Sequence, residues 1–344
     1  MANRIAVIFG GKSSEHEVSL MSAAAVIRAI EKKYELVYIG ITKEGFWKKV
    51  DDATPEMIEE NRWIENSEDF DMGKLREVAD FALPIVHGPF CEDGKLQGVF
   101  EMLDIPYGGC GVLASSLAMD KLAAKDVFTK LKFPICKHKA ILKFKWEEDQ
   151  EKQVKKAKDE IGFPCFVKPA NMGSSVGISK AHNKEEFINA VNLALKYDRR
   201  IIVEEAIDAR EIEVGILGNN YPKASSVGEI IHKAEFYDYD AKYNDEDDLK
   251  LVIPADLKKE TYEEIRKLGV KAYQAIDGEG FARVDFFIDR KSGKVYLNEI
   301  NTIPGFTKFS MFPLLWQNAG LSFEETVEEI IRLGFERYNE RHNA

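Results

Sequence analysis

Apolar and polar positions change period along the chain, and each change marks an element. Arg4–Phe9 is a short apolar run that reads as a strand, Gly10-Gly11 turns it, and Ser13–Ile30 follows a helical period. Glu35–Ile41 and Phe81–Val86 read as further strands, and the acidic, weakly patterned stretch Asp51–Asp80 predicts surface helix and loop. Strand and helix in alternation predict an open parallel sheet with helices on its faces across residues 1–120. A second unit, 121–205, opens with the helix Lys121–Leu131, stopped at Pro134. It continues through the helix Trp146–Ile161, the strand Cys165–Lys168, a Gly-Ser loop at 171–177 and the strand Gly177–Lys180. The helix Lys184–Lys196 and the strand Arg200–Glu205 close it. The third unit, 206–344, holds the strands Glu211–Leu217 and Ser225–Ile231, a polar loop Phe236–Asp248, the helix Leu257–Ile276 and a terminal helix from about Phe323.

Within that unit, Phe281–Ser310 shows two apolar runs joined by the polar turn Asp289–Gly293, the pattern of a β-hairpin. Asp285 lies in the first strand, and Glu299 and Asn301 close the second. Residues two apart share a strand face, so Arg283 points with Asp285 and Glu299 with Asn301. Three oxygen side chains at one sheet end suit Mg²⁺, which completes its shell with water and phosphate oxygens. The other physical reading is a buried carboxylate neutralised by Arg283. The hairpin alone leaves both open.

Length and charge narrow the classes. A chain of 344 residues supports two or three domains with sizeable cores. Its formal charge of -11 argues against nucleic acid, which needs a basic footprint. No apolar run approaches a membrane span, and the N-terminus enters a strand without a signal-peptide pattern. Cys91, Cys110, Cys136 and Cys165 lie far apart, which predicts reduced, buried thiols in a cytoplasmic protein. The scattered histidines give zinc no support.

The remaining chemistry sits at element ends. GGKSSEHEVSL fits neither GxxxxGK[ST] nor GxGxxG, and the missing GxGxxG weighs against a nucleotide-binding oxidoreductase. Ser14 with Glu17 predicts a capping box. Glu15 would then stand in the first helical turn, either serving the helix dipole or gripping a ligand ammonium at the sheet edge. In FPCFVKPANMGSSVGIS, Lys168 ends an apolar strand, and Gly173, Ser174, Ser175 and Gly177 form a loop whose N–H groups would cover phosphates. Glu204-Glu205-Ala206-Ile207 ends a strand that could hold an adenine edge, and Glu211 is either solvated or a ribose ligand. The aromatic loop EFYDYDAKY, ending in Lys242-Tyr243, either packs on a core or closes over a site.

In this order GGKSSEHEVSL, LPIVHGPFCEDGKLQG, AMDK, VKPANMGSSVG, VEEAI, FYDYDAKY, ARVDFF, NEINTIPGFT and FSMFP resemble the D-alanine–D-alanine ligases of the ATP-grasp superfamily over nearly the whole chain. The resemblance implies α/β and α+β architecture: a three-domain ATP-grasp fold with an N-terminal open parallel α/β domain. It implies ATP-dependent joining of two D-alanines through an acylphosphate, for peptidoglycan precursors. ATP with Mg²⁺ or Mn²⁺, as two ions, and a homodimer are implied too, and a monovalent cation stays open. By the same resemblance Lys121, Lys168 and a metal on Asp285, Glu299 and Asn301 neutralise phosphate, and Arg283 and the Gly305 N–H face the oxyanion. Glu15, with His87 nearby, takes the first ammonium; Glu15, Ser174 and Tyr243 close the lid; Ser310 and Lys242 meet the second carboxylate. The segment Lys308–Met311 departs from the Ser-His-Ser-Leu of many relatives. Tyr243 and Met311 favour D-alanine as second substrate over the D-serine or D-lactate of resistance-type relatives. An inert nucleotide-binding relative would lack Arg283 or a metal ligand, and all are present.

Overall fold

A computed structural model describes residues 4–232 and 249–342. Three sheets carry the architecture. The first has the order β4-β3-β2-β1-β5, from Arg4–Gly10 (β1), Glu35–Ile41 (β2), Trp47–Val50 (β3), Ser67–Asp69 (β4) and Phe81–Pro84 (β5). β1 runs parallel to β2 and β5, as predicted, while β3 and β4 extend the sheet antiparallel on the β2 side. β1 is buried on both faces, which is why it reads as a continuous apolar run.

The second sheet is antiparallel, in the order β6-β9-β7-β8, from His138–Leu142 (β6), Cys165–Pro169 (β7), Ser179–Ala181 (β8) and Arg200–Glu205 (β9). The third, also antiparallel, runs β12-β11-β10-β13-β14, from Ala209–Leu217 (β10), Lys223–His232 (β11), Leu249–Val252 (β12), Phe281–Asp289 (β13) and Val295–Asn301 (β14). The last two form the expected hairpin.

Two local expectations are corrected. The helix predicted at Trp146–Ile161 is two helices, Lys143–Glu148 and Gln150–Glu160. Asp149 breaks the chain between them and accepts the Lys152 N–H, acting as N-cap of the second. The Ser14–Glu17 capping box does not form. The helix His16–Ile30 starts with Glu15 at the cap position, without a side-chain cap bond, and Glu17 instead pairs with Lys43.

The proposed domain limits at 120 and 205 run between the three sheets, but the cores cross them. Phe281, Phe306, Phe312 and Ile330 share a core with Val7, Phe9 and Ile27 of the N-terminal unit. Ala124 and Phe128 of the helix Lys121–Lys130 are buried with Val214, Val284 and Ile300 of the third sheet. The second sheet packs its own core with the helix Lys184–Ala194. All four cysteines are free and buried. Among the described residues no helix is long and apolar enough to cross a membrane.

Candidate active site

Strand register builds the first half of the site. β13 pairs with β14 so that Arg283 stands opposite Asn301 and Asp285 opposite Glu299, while β10 brings Glu213 opposite Asp285 from the other side. Arg283 Nε donates to Asp285 Oδ1 at 2.7 Å and its Nη2 to Oδ2 at 2.8 Å. Glu213 Oε2 lies 3.0 Å from the same Nε. Burial opposes the Arg283 charge, but Asp285 and Glu213 outweigh it and hold its pKa well above the ordinary value. The Arg–carboxylate pair left open by the hairpin pattern is therefore present. Arg283 Nη1 makes no hydrogen bond among the described residues.

Asn301 Nδ2 donates to Asp285 Oδ2 at 2.8 Å, and among the described residues the amide oxygen has no hydrogen-bond partner. Asp285, Glu299 and that oxygen make an all-oxygen donor set at one sheet end, the chemistry a hard divalent ion selects. Among the described residues no group of three or more His, Cys, Asp or Glu forms a metal cluster, so the set rests on two carboxylates and one amide.

Lysines build the second half. Lys121 Nζ donates to the Met172 carbonyl at 2.8 Å and lies 3.5 Å from Glu299 Oε2. One cation thus joins the 171–177 loop to the metal-type ligands. Ser174 and Ser175 in that loop both adopt left-handed backbone, with φ of 49° and 59°, a strained conformation for residues with a Cβ. Lys168 Nζ is 2.6 Å from Glu204 Oε2, and Lys125 Nζ is 2.7 Å from Oε1. Burial pushes the Glu204 carboxyl up, but Lys125 and Lys168 together pull it well below the usual carboxylate range. Lys168 is likewise held charged, against its burial, by Glu204 and Glu299. Lys125 is missing from the sequence reading, although its spacing of four from Lys121 puts both on one helix face. Glu213 was also missed.

Beside this pair lies the strip expected to hold adenine. Both Glu204 oxygens are taken by lysines, Glu205 accepts the Lys137 N–H through its side chain, and the Ala206 N–H goes to Pro164. The Ile207 N–H has no partner among the described residues and is the open donor of this strip. Glu211 sits exposed on β10.

The N-terminal unit reaches the same space. A Cβ on Gly88 would stand 2.6 Å from Glu15 Oε2, and one on Gly173 3.3 Å from it, so the Glu15 carboxylate lies between the two loops. His87 is buried, with Nδ1 on the Ile303 carbonyl at 2.8 Å and Nε2 on Ser22 Oγ at 3.0 Å. Glu92, also missed, accepts the Gly88 N–H at 2.8 Å and the Ile303 N–H at 2.9 Å. Burial, reinforced by the Glu15 charge, raises its pKa to about 8. Gly305 faces Ser310: a Cβ there would meet Ser310 Oγ at 3.0 Å, and that hydroxyl accepts the Thr307 N–H. Met311 is buried, its sulfur packed on Gly228. Lys242 and Tyr243 lie outside the described residues.

Three sheets with lysines, carboxylates and a strained Gly-Ser loop converging at their edges define the ATP-grasp class of ligases. Comparison with known proteins makes this specific. The families described as D-ala D-ala ligase N-terminus and C-terminus match residues 4–110 and 127–332. The chain is 48% identical to the D-alanine–D-alanine ligase of Thermoanaerobacter sp. (strain X514), covering 98% of each, and 45% identical to that of Geobacillus kaustophilus, covering 99% and 97%. Among solved structures it superposes on the VanG D-Ala:D-Ser ligase from Enterococcus faecalis with a TM-score of 0.88, at 36% identity, covering 97% of this chain and all of that one. For the D-alanine–D-alanine ligase from Coxiella burnetii the TM-score is 0.87, at 32% identity and with 99% and 96% covered. The chain belongs to the D-alanine–D-alanine ligase family.

Proposed function

We propose that this chain joins two D-alanines with cleavage of ATP to ADP and phosphate, in the cytoplasm, supplying the dipeptide for peptidoglycan precursors. The observation that carries this reading is Lys121, whose ammonium ties the 171–177 loop to Glu299 and so brings phosphate-binding and metal-binding groups to one point. Phosphoryl transfer needs little else than such positioning and charge neutralisation.

Glu15 holds the ammonium of the first D-alanine. One oxygen of that substrate's carboxylate attacks the γ-phosphorus, the bond to the ADP oxygen breaks, and an acylphosphate forms. Lys121 and Lys168 neutralise the phosphates during transfer, and the open Ile207 N–H with Glu205 and Glu211 holds the nucleoside. Asp285, Glu299 and Asn301 would hold Mg²⁺, as two ions, which would supply further positive charge to the phosphates.

The second D-alanine, its carboxylate held by Ser310 and Lys242, attacks the acyl carbon through its amine. That nitrogen loses a proton, which leaves with the inorganic phosphate that the tetrahedral intermediate expels. Arg283 Nη1 and the Gly305 N–H stabilise the oxyanion, a contribution of about 3 kcal/mol per donor. Glu15, Ser174 and Tyr243 close the lid, which keeps water from the acylphosphate. No enzyme nucleophile is required. The working unit is a homodimer.

Phosphate release with D-alanine alone, compared with D-alanine plus D-serine, tests the substrate assignment. The expected outcome is full turnover with D-alanine alone. Negligible turnover without D-serine would transfer the chain to the D-alanine–D-serine class, which the similarity to VanG keeps as the competing reading. Pocket contacts discriminate a single hydroxyl weakly unless a polar group reads it, so the assay decides.

A further inference from the structure

The oxyanion donor assigned above sits in a four-residue loop, Ile303-Pro304-Gly305-Phe306, and the N-terminal unit holds that loop at both ends. Glu92 Oε1 accepts the Ile303 N–H at 2.9 Å, His87 Nδ1 meets the Ile303 carbonyl at 2.8 Å, and Ser22 Oγ accepts the Phe306 N–H at 3.2 Å. Pro304 has no N–H to offer. Within this loop, among the described residues, only the Gly305 N–H has no partner, and the Ile303 and Phe306 N–H groups on either side are fixed.

Two of these side chains, Ser22 and His87, also hold each other. His87 Nδ1 faces a carbonyl and must donate, so neutral His87 has Nε2 as acceptor. The Ser22 hydroxyl, 3.0 Å away, then gives its hydrogen to Nε2 while accepting from Phe306. Burial lowers the His87 pKa, consistent with a neutral ring. Both ring nitrogens are engaged, which makes His87 a support for the loop instead of a contact for the substrate ammonium. The second oxygen of Glu92 accepts the Gly88 N–H at 2.8 Å, and Gly88 is the residue packed against the Glu15 carboxylate. One carboxyl thus sets the spacing between the loop that lines the first-substrate pocket and the loop that carries the oxyanion donor.

We propose that Ser22, His87 and Glu92 are positioning residues that clamp Ile303–Phe306 so that the Gly305 N–H meets the reacting carbonyl of the substrate held at Glu15. This rests on the ligase reading given above. Misplacing a catalytic group by about 1 Å can cost about 100-fold in rate.

The test uses the full chain with Ser22→Ala, Glu92→Gln and the double variant, measuring dipeptide formation, KM for ATP, and Tm. Each single variant is expected to lower kcat about 10- to 100-fold with KM for ATP within about twofold of wild type. Because both act through one loop, the double variant should be little worse than the worse single one. A purely structural role lowers Tm and leaves the kcat of the folded enzyme unchanged; that result, or a KM for ATP rising in step with the loss of kcat, overturns the clamp. Normal turnover in wild type and both variants removes the clamp and keeps the ligase. A wild type that releases no ADP with D-alanine removes the ligase reading itself, and the clamp with it.

Discussion

Two buried ion clusters face each other across the candidate site, and their stoichiometry is opposite. At β9, one carboxylate, Glu204, is shared by two lysines, Lys125 and Lys168. At the β10–β13 pair, one guanidinium, Arg283, is shared by two carboxylates, Asp285 and Glu213. The first group carries one net positive charge and the second one net negative, to which Glu299 adds another. Both kinds of cluster satisfy the rule that a buried charge needs a partner. On the function proposed above, the lysine cluster would turn towards phosphate and the hairpin cluster towards a cation. Lys121 lies 3.5 Å from Glu299, beside the carboxylate-rich cluster, and its ammonium also reaches the 171–177 loop.

The hairpin surplus gives the largest expected effect. Glu299→Gln removes one charge while keeping shape. Its side chain is about a third exposed and 3.5 Å from Lys121, so the fold should survive, with Tm nearly unchanged. Divalent-metal-dependent turnover should drop by at least about 100-fold, the scale of several kcal/mol of lost charge stabilisation. Near wild-type rates would sink the metal assignment.

On the opposite side, Lys125→Met should turn the positive surplus to zero, because Lys168 would then be matched one to one by Glu204. ATP titrations should show KM for ATP rising about tenfold, on the order of 1.4 kcal/mol, with KM for D-alanine little changed. Removing one partner of a buried pair also destabilises, by about 3 kcal/mol or more, which thermal melts would register. If Tm falls but KM for ATP stays put, Lys125 only balances a buried carboxylate, and the charge argument fails on this side.

How much of this the sequence revealed follows the range of each interaction. The hairpin, the clustering of Asp285, Glu299 and Asn301 at its end and the Arg283–Asp285 pairing were legible because they depend on period-two alternation and on one short turn. Lys168 and the Gly-Ser loop were legible for the same local reason. Lys125 had a local signal, the i,i+4 spacing from Lys121, that went unread. Glu92 had none, since its contact with Ile303 spans 211 residues and depends on how the N-terminal sheet and the third sheet share a core. Glu213 needed the β10–β13 register. The broken helix at Asp149 shows the converse: helical periodicity continued through a residue whose side chain caps a new start.

The smallest expected effect concerns pH and sets Glu92 apart from both clusters, since among the described residues no cation forms a salt bridge with it and two N–H groups hold it. Its pKa of about 8 lies above the ordinary 4.5 because burial and the Glu15 charge penalise the ionised form. Between pH 4.5 and about 8 the folded chain therefore binds this proton more tightly than the unfolded chain does. The contribution to stability is full below the lower value, declines as pH rises through the window, and levels off above about 8. Glu204 has the opposite sign: its lowered pKa contributes stability at neutral pH that is lost only in strong acid. Denaturant melts across that window should show wild-type stability falling with pH relative to Glu92→Gln, which cannot ionise. Parallel curves for the two proteins would mean that Glu92 is already ionised at the bottom of the window. The clamp would then hold the Ile303 N–H with a charged carboxylate, a stronger bond than a neutral carboxyl makes.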